Sequence, residues 1–263
     1  MYGHDRANDS WRARIGLVIP STNTVLEAWM PRVVPDGVSL HTARMPFPRE
    51  SSLAALEQME KESGAALRLA ADAELDALIY ACTASTLTRG RAADLALIAT
   101  MTGQTGVPCF TITDAIVRGL EHLGAKSVCI ASPYPERMDA IERSFFEDCG
   151  YRVMAVEGLG ITDSAELADP SPGEIYRFAR SLWDPGADAL LLTCAAFRGH
   201  HAVAALEADL GVPVLTSSTA ALWEGLRLSG VMEPIAGYGR LLAEPGDAAA
   251  WRDVRDSFAK AAQ

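Results

Sequence analysis

The sequence predicts an α/β fold of two lobes related by a pseudo-twofold axis, each lobe a parallel sheet with helices on both faces. Strand-like apolar runs, "RIGLVI" (14–19) and "DALIYA" (76–81), alternate with segments of helical periodicity, "SSLAALEQMEKESGAALRLAADAE" (51–74) and "RAADLALIATMTGQTG" (91–106). Strands that are apolar at every position are typical of parallel sheets covered on both faces. In addition, the second half of the 263-residue chain repeats the first.

The internal repeat is visible in three pairs of segments. The first members are residues 14–24, 75–90 and 105–124, and their counterparts are residues 126–136, 187–201 and 210–230. The spacing is also repeated, because Pro20 precedes Cys82 by 62 positions and Pro133 precedes Cys194 by 61. The repeat therefore predicts a first lobe of residues 1–112 plus 217–263, completed by the C-terminal helical segment, and a second lobe of residues 113–216.

Composition and charge exclude several classes of function. The net charge of −11, without a Lys/Arg cluster, predicts no nucleic-acid partner, because phosphate contacts need clustered cations. The polar opening "MYGHDRANDSWRAR" and the lack of a long apolar run predict a cytoplasmic protein without a membrane span. The five cysteines and five histidines form no zinc pattern, so neither a metal nor a disulfide framework is expected. The adjacent His200 and His201 are expected in a solvated loop.

Two cysteines occupy equivalent places in the repeat. Cys82 and Cys194 each follow an apolar strand, and ligands of parallel sheets bind beyond the carboxyl ends of the strands. We therefore expect the two thiols on opposite sides of one cleft between the lobes. Small and hydroxyl residues follow each cysteine, so free backbone N–H groups are expected to bind an anion and to favour the thiolate. The remaining cysteines are expected to be core or surface residues: Cys109, Cys129 and Cys149.

A pair of opposed thiols indicates acid–base or nucleophilic chemistry. One sulfur can remove a proton while the other returns it from the opposite face, or one can attack an activated carbon while the other handles protons. Neither scheme needs a metal, flavin or pyridoxal phosphate, so no cofactor is expected. The alternative from a different class is a carboxylate-binding protein without catalysis, in which the cysteines only pack.

Six motifs resemble the Asp/Glu racemase superfamily and, within it, the maleate cis-trans isomerase and arylmalonate decarboxylase branch. They are "PSTNT" (20–24), "HTARM" (41–45), "YACTAS" (80–85), "SPYPERM" (132–138), "TCAAF" (193–197) and "GVPVLTSS" (211–218). The resemblance covers nearly the whole chain. Maleate isomerases of this branch carry both cysteines, whereas the decarboxylases keep only the second, so the presence of Cys82 favours an isomerase.

The resemblance implies a cofactor-independent isomerase of a small dicarboxylic acid, with maleate to fumarate as the best single expectation. Cys82 would add to the double bond, and the succinyl-like enolate would rotate before Cys82 leaves. Cys194 would donate and accept the proton. Two alternatives stay open: a racemase of an amino acid or related acid, including a step of ectoine degradation, and an arylmalonate-type decarboxylase. The family also implies a homodimer.

Further substrate-binding residues are predicted around the thiols. Asn23, after the first strand, is expected to donate its amide to a substrate carboxylate or to cap the next helix. Tyr134, at the equivalent place in the second lobe, is expected to donate its phenol O–H to an enediolate oxygen or to pack between prolines. The other candidates are small or carry hydroxyl groups: Thr83, Ala84, Ala195, Ala196, Ser217, Ser218 and Ser164.

Some of these positions have two interpretations. Ser217 and Ser218 follow the last strand of the second lobe, as Thr113 nearly does in the first, and either supply hydroxyl donors or cap a helix. Arg44, which shares a motif with His41, pairs with a carboxylate or braces its loop, and both residues are left outside the catalytic set. Ser164 departs from the isomerase pattern, which has asparagine there. Its shorter side chain, with one donor, leaves the identity of the acid open.

Overall fold

The computed structural model describes residues 9–50 and 52–261, which form two four-stranded parallel sheets. The first sheet has the order β2-β1-β3-β4, with β1 Ala13–Pro20, β2 Val38–Met45, β3 Ala77–Tyr80 and β4 Cys109–Thr111. The second has the order β6-β5-β7-β8, with β5 Ser127–Ser132, β6 Arg152–Gly158, β7 Ala189–Leu192 and β8 Val214–Thr216. The two orders are the same, so the α/β fold class and the repeat predicted from the sequence are confirmed.

The helices of the described residues cover both sheets. They are α1 Leu26–Trp29, α2 Leu53–Ala71, α3 Thr83–Arg89, α4 Arg91–Thr105, α5 Ile112–His122, α6 Asp139–Asp148, α7 Pro172–Ser181, α8 Val203–Leu210, α9 Ser217–Leu228, α10 Arg240–Ala243 and α11 Ala248–Ala261. Every residue of β3 and β7 is buried, which explains why both read as uninterrupted apolar runs. The helices predicted over 51–74 and 91–106 correspond to α2 and α4.

Equivalent helices in the two halves begin with equivalent caps. Thr111, at the end of β4, accepts a hydrogen bond from the backbone N–H of Asp114 in α5. Thr216, at the end of β8, accepts one from Thr219 in α9. Each cap satisfies an otherwise free N–H group of the first helical turn and fixes the direction in which the chain leaves its strand.

The helices α5 and α9 are exchanged between the two sheets. Gly119 of α5 lies against Leu215 of β8, in the second sheet. Gly225 of α9 lies against Ile15 of β1 and Ile79 of β3, in the first sheet. This packing agrees with a boundary between the lobes near the start of α5 and another near the start of α9. We retain the predicted division into two lobes as a proposal.

A buried ionic network joins α4, α5 and α9. Arg91 contacts Asp94 at 3.0 Å and Asp114 at 2.6 Å, and Arg118 contacts Asp114 at 2.8 Å and Glu224 at 3.1 Å. Burial raises the pKa of Asp94 to about 6 and that of Glu224 well above its usual value. The contacts with Arg91 and Arg118 partly offset the cost of burying these carboxyl groups, and they connect α4 with the exchanged helices α5 and α9.

Candidate active site

A small cavity of about 40 Å³ lies where the carboxyl ends of β1, β3, β5 and β7 meet. In each sheet the chain changes direction between the two central strands, and this crevice is where ligands of parallel α/β sheets bind. The two crevices face each other across the cavity. Most of the predicted site residues line it: Asn23, Cys82, Thr83, Ala84, Tyr134, Ser164, Cys194, Ala195 and Ala196.

Cys82 and Cys194 both contribute to the cavity wall, as the repeat predicts. Their exposed fractions are 6% and 4%, so both residues are buried but keep some contact with solvent. A negative charge on Cys82 raises the pKa of Cys194, so the two sulfur atoms are close enough to interact electrostatically. The geometry therefore allows one small ligand to contact both thiols.

The thiol of Cys82 lies at the start of α3. Ser85 and the backbone N–H groups of Ser85 and Ala84 lie near the sulfur and lower its pKa, against the larger effect of burial. The Ser85 hydroxyl itself donates to the Cys82 carbonyl oxygen at 3.2 Å. The backbone of Cys82 is extended, with a φ of −126°. The N–H groups that the sequence assigns to an anion thus lie near the sulfur, and Ser85 is a neighbour that the sequence analysis did not single out.

The thiol of Cys194 has a matching set of neighbours. Tyr134 and the backbone N–H groups of Ala196 and Phe197 lie near this sulfur and lower its pKa, against the larger effect of burial. The Phe197 N–H itself donates to the Cys194 carbonyl oxygen at 3.1 Å. Each thiol therefore lies near one hydroxyl group and two backbone N–H groups. The backbones differ, however, because Cys194 has a φ of 85°, a left-handed conformation that is unusual for a residue with a side chain. Such strained residues concentrate at functional sites, where the surrounding structure holds them in place.

The prediction that the site favours thiolates is wrong for these buried thiols. Burial raises the pKa of the Cys82 thiol, and burial raises the pKa of Cys194 to about 12. The neighbouring hydroxyl and N–H groups act in the opposite direction, but loss of hydration is the larger effect. Both cysteines are consequently thiols at neutral pH, which suits a proton donor and limits the thiolate to a small fraction.

Asn23 satisfies both of its predicted interpretations. Its Oδ1 accepts hydrogen bonds from the backbone N–H groups of Val25, at 2.9 Å, and Leu26, at 3.1 Å, and thereby caps the short helix α1. Because these bonds fix the orientation of the amide, its NH₂ group is left to donate toward the cavity that Asn23 lines. One side chain therefore anchors the loop and offers a donor to a ligand.

Arg44 braces the loop that carries Asn23. Its guanidinium donates to the backbone carbonyl oxygens of Ser21, at 2.9 Å, and Asn23, at 3.1 Å, and forms an ion pair with Glu27. His41, from the same motif, contacts Ser39 at 2.8 Å. Neither Arg44 nor His41 is among the residues that line the cavity, in agreement with their exclusion from the catalytic set.

Ser164 closes the cavity from the second lobe. Its hydroxyl donates to the backbone carbonyl of Pro48 at 2.9 Å, and its N–H donates to that of Arg49 at 2.7 Å. Arg49 also pairs with Asp163 at 2.8 Å. Loop 46–50 of the first lobe is thus joined to the loop around Ser164. Because its single hydroxyl donor is already used, Ser164 forms part of the wall without offering a free proton to a ligand.

Ser217 and Ser218 do not line the cavity. Both side chains are fully buried in the first turn of α9, and Ser217 accepts a hydrogen bond from Thr83 at 3.1 Å. Thr113 is buried as well and contacts Thr111 at 3.1 Å. The structure therefore places these three hydroxyl groups behind the cavity wall, where Ser217 supports Thr83. The helix caps are Thr111, two residues before Thr113, and Thr216, the residue before Ser217.

The prediction of a solvated loop is wrong for His200. The His200 ring stacks on Trp29 with 4.3 Å between ring centroids, and only 2% of the residue is exposed. Burial lowers the pKa of His200 to about 3, so it is neutral. His201 is exposed, as expected. Both residues line a wider surface depression that holds neither Cys82 nor Cys194.

Several residues of the site escaped the sequence analysis. The remaining wall comes from segments distant in sequence: Pro20, Phe47, Leu56, Ala81 and Leu167, with Thr22 adding a hydroxyl. Pro20, Thr22 and Ala81 lie within motifs already quoted but were not singled out, and no local pattern marks Phe47, Leu56 and Leu167, which join the others only in the folded chain. Cys109, Cys129 and Cys149 lie outside the cavity, and all five cysteines are free thiols.

Residues 9–50 and 52–261 contain neither a candidate metal site nor a candidate membrane span. No group of three or more His, Cys, Asp or Glu side chains within these residues is arranged to hold a metal ion. No helix in the same part of the chain is both long and apolar enough to cross a bilayer.

Known proteins resemble the chain over most of its length. A maleate isomerase from Geobacillus stearothermophilus is 26% identical over 244 residues, covering 88% of this chain and 97% of its own. A crystal structure of the Nocardia farcinica maleate cis-trans isomerase, a cysteine-to-serine mutant with a covalently bound succinylcysteine intermediate, has a TM-score of 0.84 and 26% identity, covering 88% of this chain and 98% of that one.

The decarboxylase side of the branch is represented too. The arylmalonate decarboxylase of Bordetella bronchiseptica is 31% identical over 159 residues, covering 59% of this chain and 66% of its own. The profile of the arylmalonate decarboxylase family matches residues 15–242, which include both sheets and every residue that lines the cavity. The resemblance identified from the sequence motifs is confirmed, and the chain belongs to the arylmalonate decarboxylase family.

Proposed function

We propose that the protein is a cofactor-independent cis-trans isomerase that converts maleate to fumarate with Cys82 and Cys194. The observation that carries this proposal is the position of two thiols on the wall of one small cavity, each near one hydroxyl group and two backbone N–H groups. The succinylcysteine seen in the Nocardia farcinica enzyme supports a covalent route in the family. A decarboxylase with a single catalytic thiol does not require the second cysteine.

In the proposed reaction, the thiolate of Cys82 attacks one carbon of the maleate double bond. A carbon–sulfur bond forms, and the π electrons move into the adjacent carboxylate to give an enediolate, so the former double bond becomes single and can rotate. Cys194, held protonated by burial, donates a proton to this intermediate and later removes it. Re-formation of the double bond expels Cys82 as thiolate and releases fumarate, with no net consumption of protons.

The neutral donors of the cavity wall are assigned to the substrate. The amide NH₂ of Asn23 binds one carboxylate, and the Tyr134 hydroxyl stabilises the enediolate oxygen or the Cys194 thiolate. Thr83, Ala84, Ala195 and Ala196 contribute backbone or hydroxyl contacts from the two strand ends. Among the described residues that line the cavity there is no Asp or Glu to hold an ammonium group, which disfavours an amino acid as the substrate.

The size of the cavity also bears on the substrate. The cavity volume of about 40 Å³ is small, which favours a compact four-carbon diacid over a bulkier acid. An arylmalonate needs still more room. Maleate is therefore the proposed substrate, and decarboxylation of an arylmalonate is an alternative outcome of the test below.

Proton NMR with maleate in D₂O tests the proposal directly. We expect fumarate to appear with the wild-type protein, and Cys82→Ala and Cys194→Ala each to abolish it. Cys194→Ser is expected to accumulate an adduct of one maleate on the peptide that contains Cys82, as detected by mass spectrometry. Because the pKa of Cys82 is raised, the rate of adduct formation should increase with pH above neutrality.

Cys149→Ala is the matched control, because this half-buried cysteine lies outside the cavity and its loss should leave turnover unchanged. Three results would contradict the proposal. Release of CO₂ from phenylmalonate without maleate turnover would identify a decarboxylase. Deuterium at the α-carbon of aspartate or glutamate would identify a racemase. Ligand binding that survives loss of both thiols, without turnover of any of these acids, would identify a binding protein.

A cytoplasmic location and a homodimeric state belong to the same proposal, since both are what the family resemblance and the sequence imply. Light scattering coupled to size-exclusion chromatography measures the oligomeric state. A mass of one chain would refute the dimer and leave the assignment of the two thiols unaffected.

A further inference from the structure

A hydrogen bond between two hydroxyl groups joins the cavity wall to the start of α9. Thr83 donates from its Oγ1 to the Oγ of Ser217 at 3.1 Å. Thr83 lines the cavity and follows Cys82 directly, whereas Ser217 is the first residue of α9 and does not line the cavity. Both side chains are buried, so water does not compete for this bond. The proposed reaction uses Thr83 and leaves the role of Ser217 open.

The Ser217 end of this bond is held firmly. Thr216, at the end of β8, and Thr219 form a capping box, in which each side chain accepts a hydrogen bond from the backbone N–H of the other. Every residue of α9 is buried, so the first turn of this helix has little room to shift. The Ser217 hydroxyl is therefore a fixed partner for Thr83.

The Thr83 end of the bond belongs to the turn that carries the first thiol. Thr83 is the first residue of α3, and the Thr86 hydroxyl lies within hydrogen-bond distance of the carbonyl oxygens of Thr83, at 3.1 Å, and Cys82, at 3.2 Å. These contacts hold the backbone of the turn but do not set the rotamer of the Thr83 side chain. A threonine in a helix has two common rotamers, and the bond to Ser217 selects one of them.

The polar side chains that line the cavity are amide, hydroxyl and thiol groups. A carboxylate bound there is therefore held by neutral donors, and the proton of each hydroxyl group contributes to its affinity. A hydroxyl group has one proton to donate and can also accept a hydrogen bond. When the O–H of Thr83 turns to a carboxylate, the O–H of Ser217 can turn to Thr83 Oγ1, so that the bond between the two residues is kept. Such a chain is stronger than its separate bonds, because each donor polarises the next.

We propose that Ser217 is a positioning residue for carboxylate binding, which orients the Thr83 hydroxyl and supports it as a donor to one carboxylate of the substrate. The identity of that substrate rests on the proposed function, whereas the effect on carboxylate affinity does not. Without Ser217, Thr83 loses the partner that selects its rotamer, and its hydroxyl becomes a weaker donor. Cys82 itself keeps its position, because its turn is also held by the contact with Thr86.

The test compares two alkylating reagents of similar size at Cys82: iodoacetate, which carries a carboxylate, and iodoacetamide, which carries a neutral amide. Peptide mapping after incubation at pH 8 gives the rate of each reagent at Cys82, and the ratio of the two rates measures how well the site holds a carboxylate beside this thiol. We expect Ser217→Ala to lower the iodoacetate-to-iodoacetamide ratio about fivefold, as for the loss of one hydrogen bond, with the iodoacetamide rate unchanged.

Ser218→Ala is the matched control. Ser218 is the next residue of the same turn and is fully buried, but it does not line the cavity, and its hydroxyl has no hydrogen-bond partner among the described residues. The control variant removes the same atom from the same helix and should keep the wild-type ratio.

Variants at the other end of the bond keep the test decisive if Ser217→Ala fails to fold. Thr83→Val removes the hydroxyl with little change in shape and should lower the ratio at least as far as Ser217→Ala, whereas Thr83→Ser keeps the hydroxyl and the wild-type ratio. The double variant of Thr83→Val and Ser217→Ala should match Thr83→Val alone, because Ser217 acts through Thr83. With maleate, Ser217→Ala should raise KM about fivefold and leave kcat within about twofold, because the contact is made with bound substrate as well as in the transition state.

An unchanged ratio in folded Ser217→Ala, or in Thr83→Val, would overturn the inference, and so would a double variant in which the two effects add. A lowered ratio in Ser218→Ala would also overturn it, because the effect would then come from the packing of α9. A wild-type protein that does not turn over maleate would instead refute the proposed function, and the alkylation ratios would still decide the role of Ser217. The two failures are therefore distinguishable.

Discussion

The ionisation of Glu142 should make the stability of the fold depend on pH. Burial raises the pKa of Glu142 to about 7 from an ordinary value of 4.5. The native state therefore holds the proton more tightly than the unfolded state. The stabilisation of the native state that comes from protonated Glu142 is fully present below about pH 4.5 and is lost as the pH rises through 7. The complete loss is about 3 kcal/mol, from about 1.4 kcal/mol for each pH unit between the two values.

Urea denaturation of wild-type protein and Glu142→Gln at pH 5 and pH 8 measures this loss. Because glutamine does not ionise, the variant should gain about 2 kcal/mol of unfolding free energy relative to the wild type between the two pH values. Comparing the two proteins at each pH cancels the contributions of the other titrating groups. Equal pH dependence in the two proteins would refute the reasoning, because it would mean that the Glu142 carboxyl group is not desolvated in the native state.

Three further outcomes are expected. A Cβ at Gly158 would lie 2.1 Å from the carbonyl oxygen of Tyr134, so Gly158→Ala should destabilise the protein by about 2 kcal/mol in urea denaturation. Gly103 lies in a helix, with no atom within 4 Å of the added carbon, so Gly103→Ala should stabilise the protein by about 0.5–1 kcal/mol. A similar change in unfolding free energy for the two glycine variants would contradict the predicted clash at Gly158. Ser164→Ala removes the hydrogen bond from the Ser164 hydroxyl to Pro48, which joins two loops at the cavity. The rate of thiol alkylation should increase about fivefold, the equivalent of about 1 kcal/mol. An unchanged rate would mean that this hydrogen bond does not restrict access to the thiols. In the wild type, alkylation of Cys194 should still increase about tenfold for each pH unit at pH 10, because its pKa is about 12, and a plateau below pH 9 would contradict the role of burial.

The fold and the positions of both thiols were predictable because they depend on local patterns. Continuous apolar runs indicate strands covered on both faces, and a cysteine directly after such a strand lies at the carboxyl edge of the sheet wherever the sheet packs. The repeated spacing between Pro20 and Cys82 and between Pro133 and Cys194 then pairs the two edges. Asn23 was predictable for the same reason, since it follows β1 directly.

The burial of Glu142 had a signal in the sequence. Glu142 stands three and four positions before Phe145 and Phe146, on the face of α6 that the apolar periodicity buries. A carboxyl group on a buried helical stripe is rare unless it has a partner, so this position marks a polar contact inside the core. The identity of that partner, Thr193, was not readable, because it follows a strand about fifty positions further along the chain.

The α/β class, the repeat, the family and the two equivalent cysteines could be inferred from the residues alone, because periodicity and residue type at a strand end are properties of short segments. The loss of hydration at the thiols, the contact between Ser164 and Pro48 and the burial of His200 emerge only in the folded molecule. These depend on how much water is excluded and on contacts between residues more than a hundred positions apart, such as Ser164 and Pro48. Hydration and long-range contact are set only when the lobes pack together.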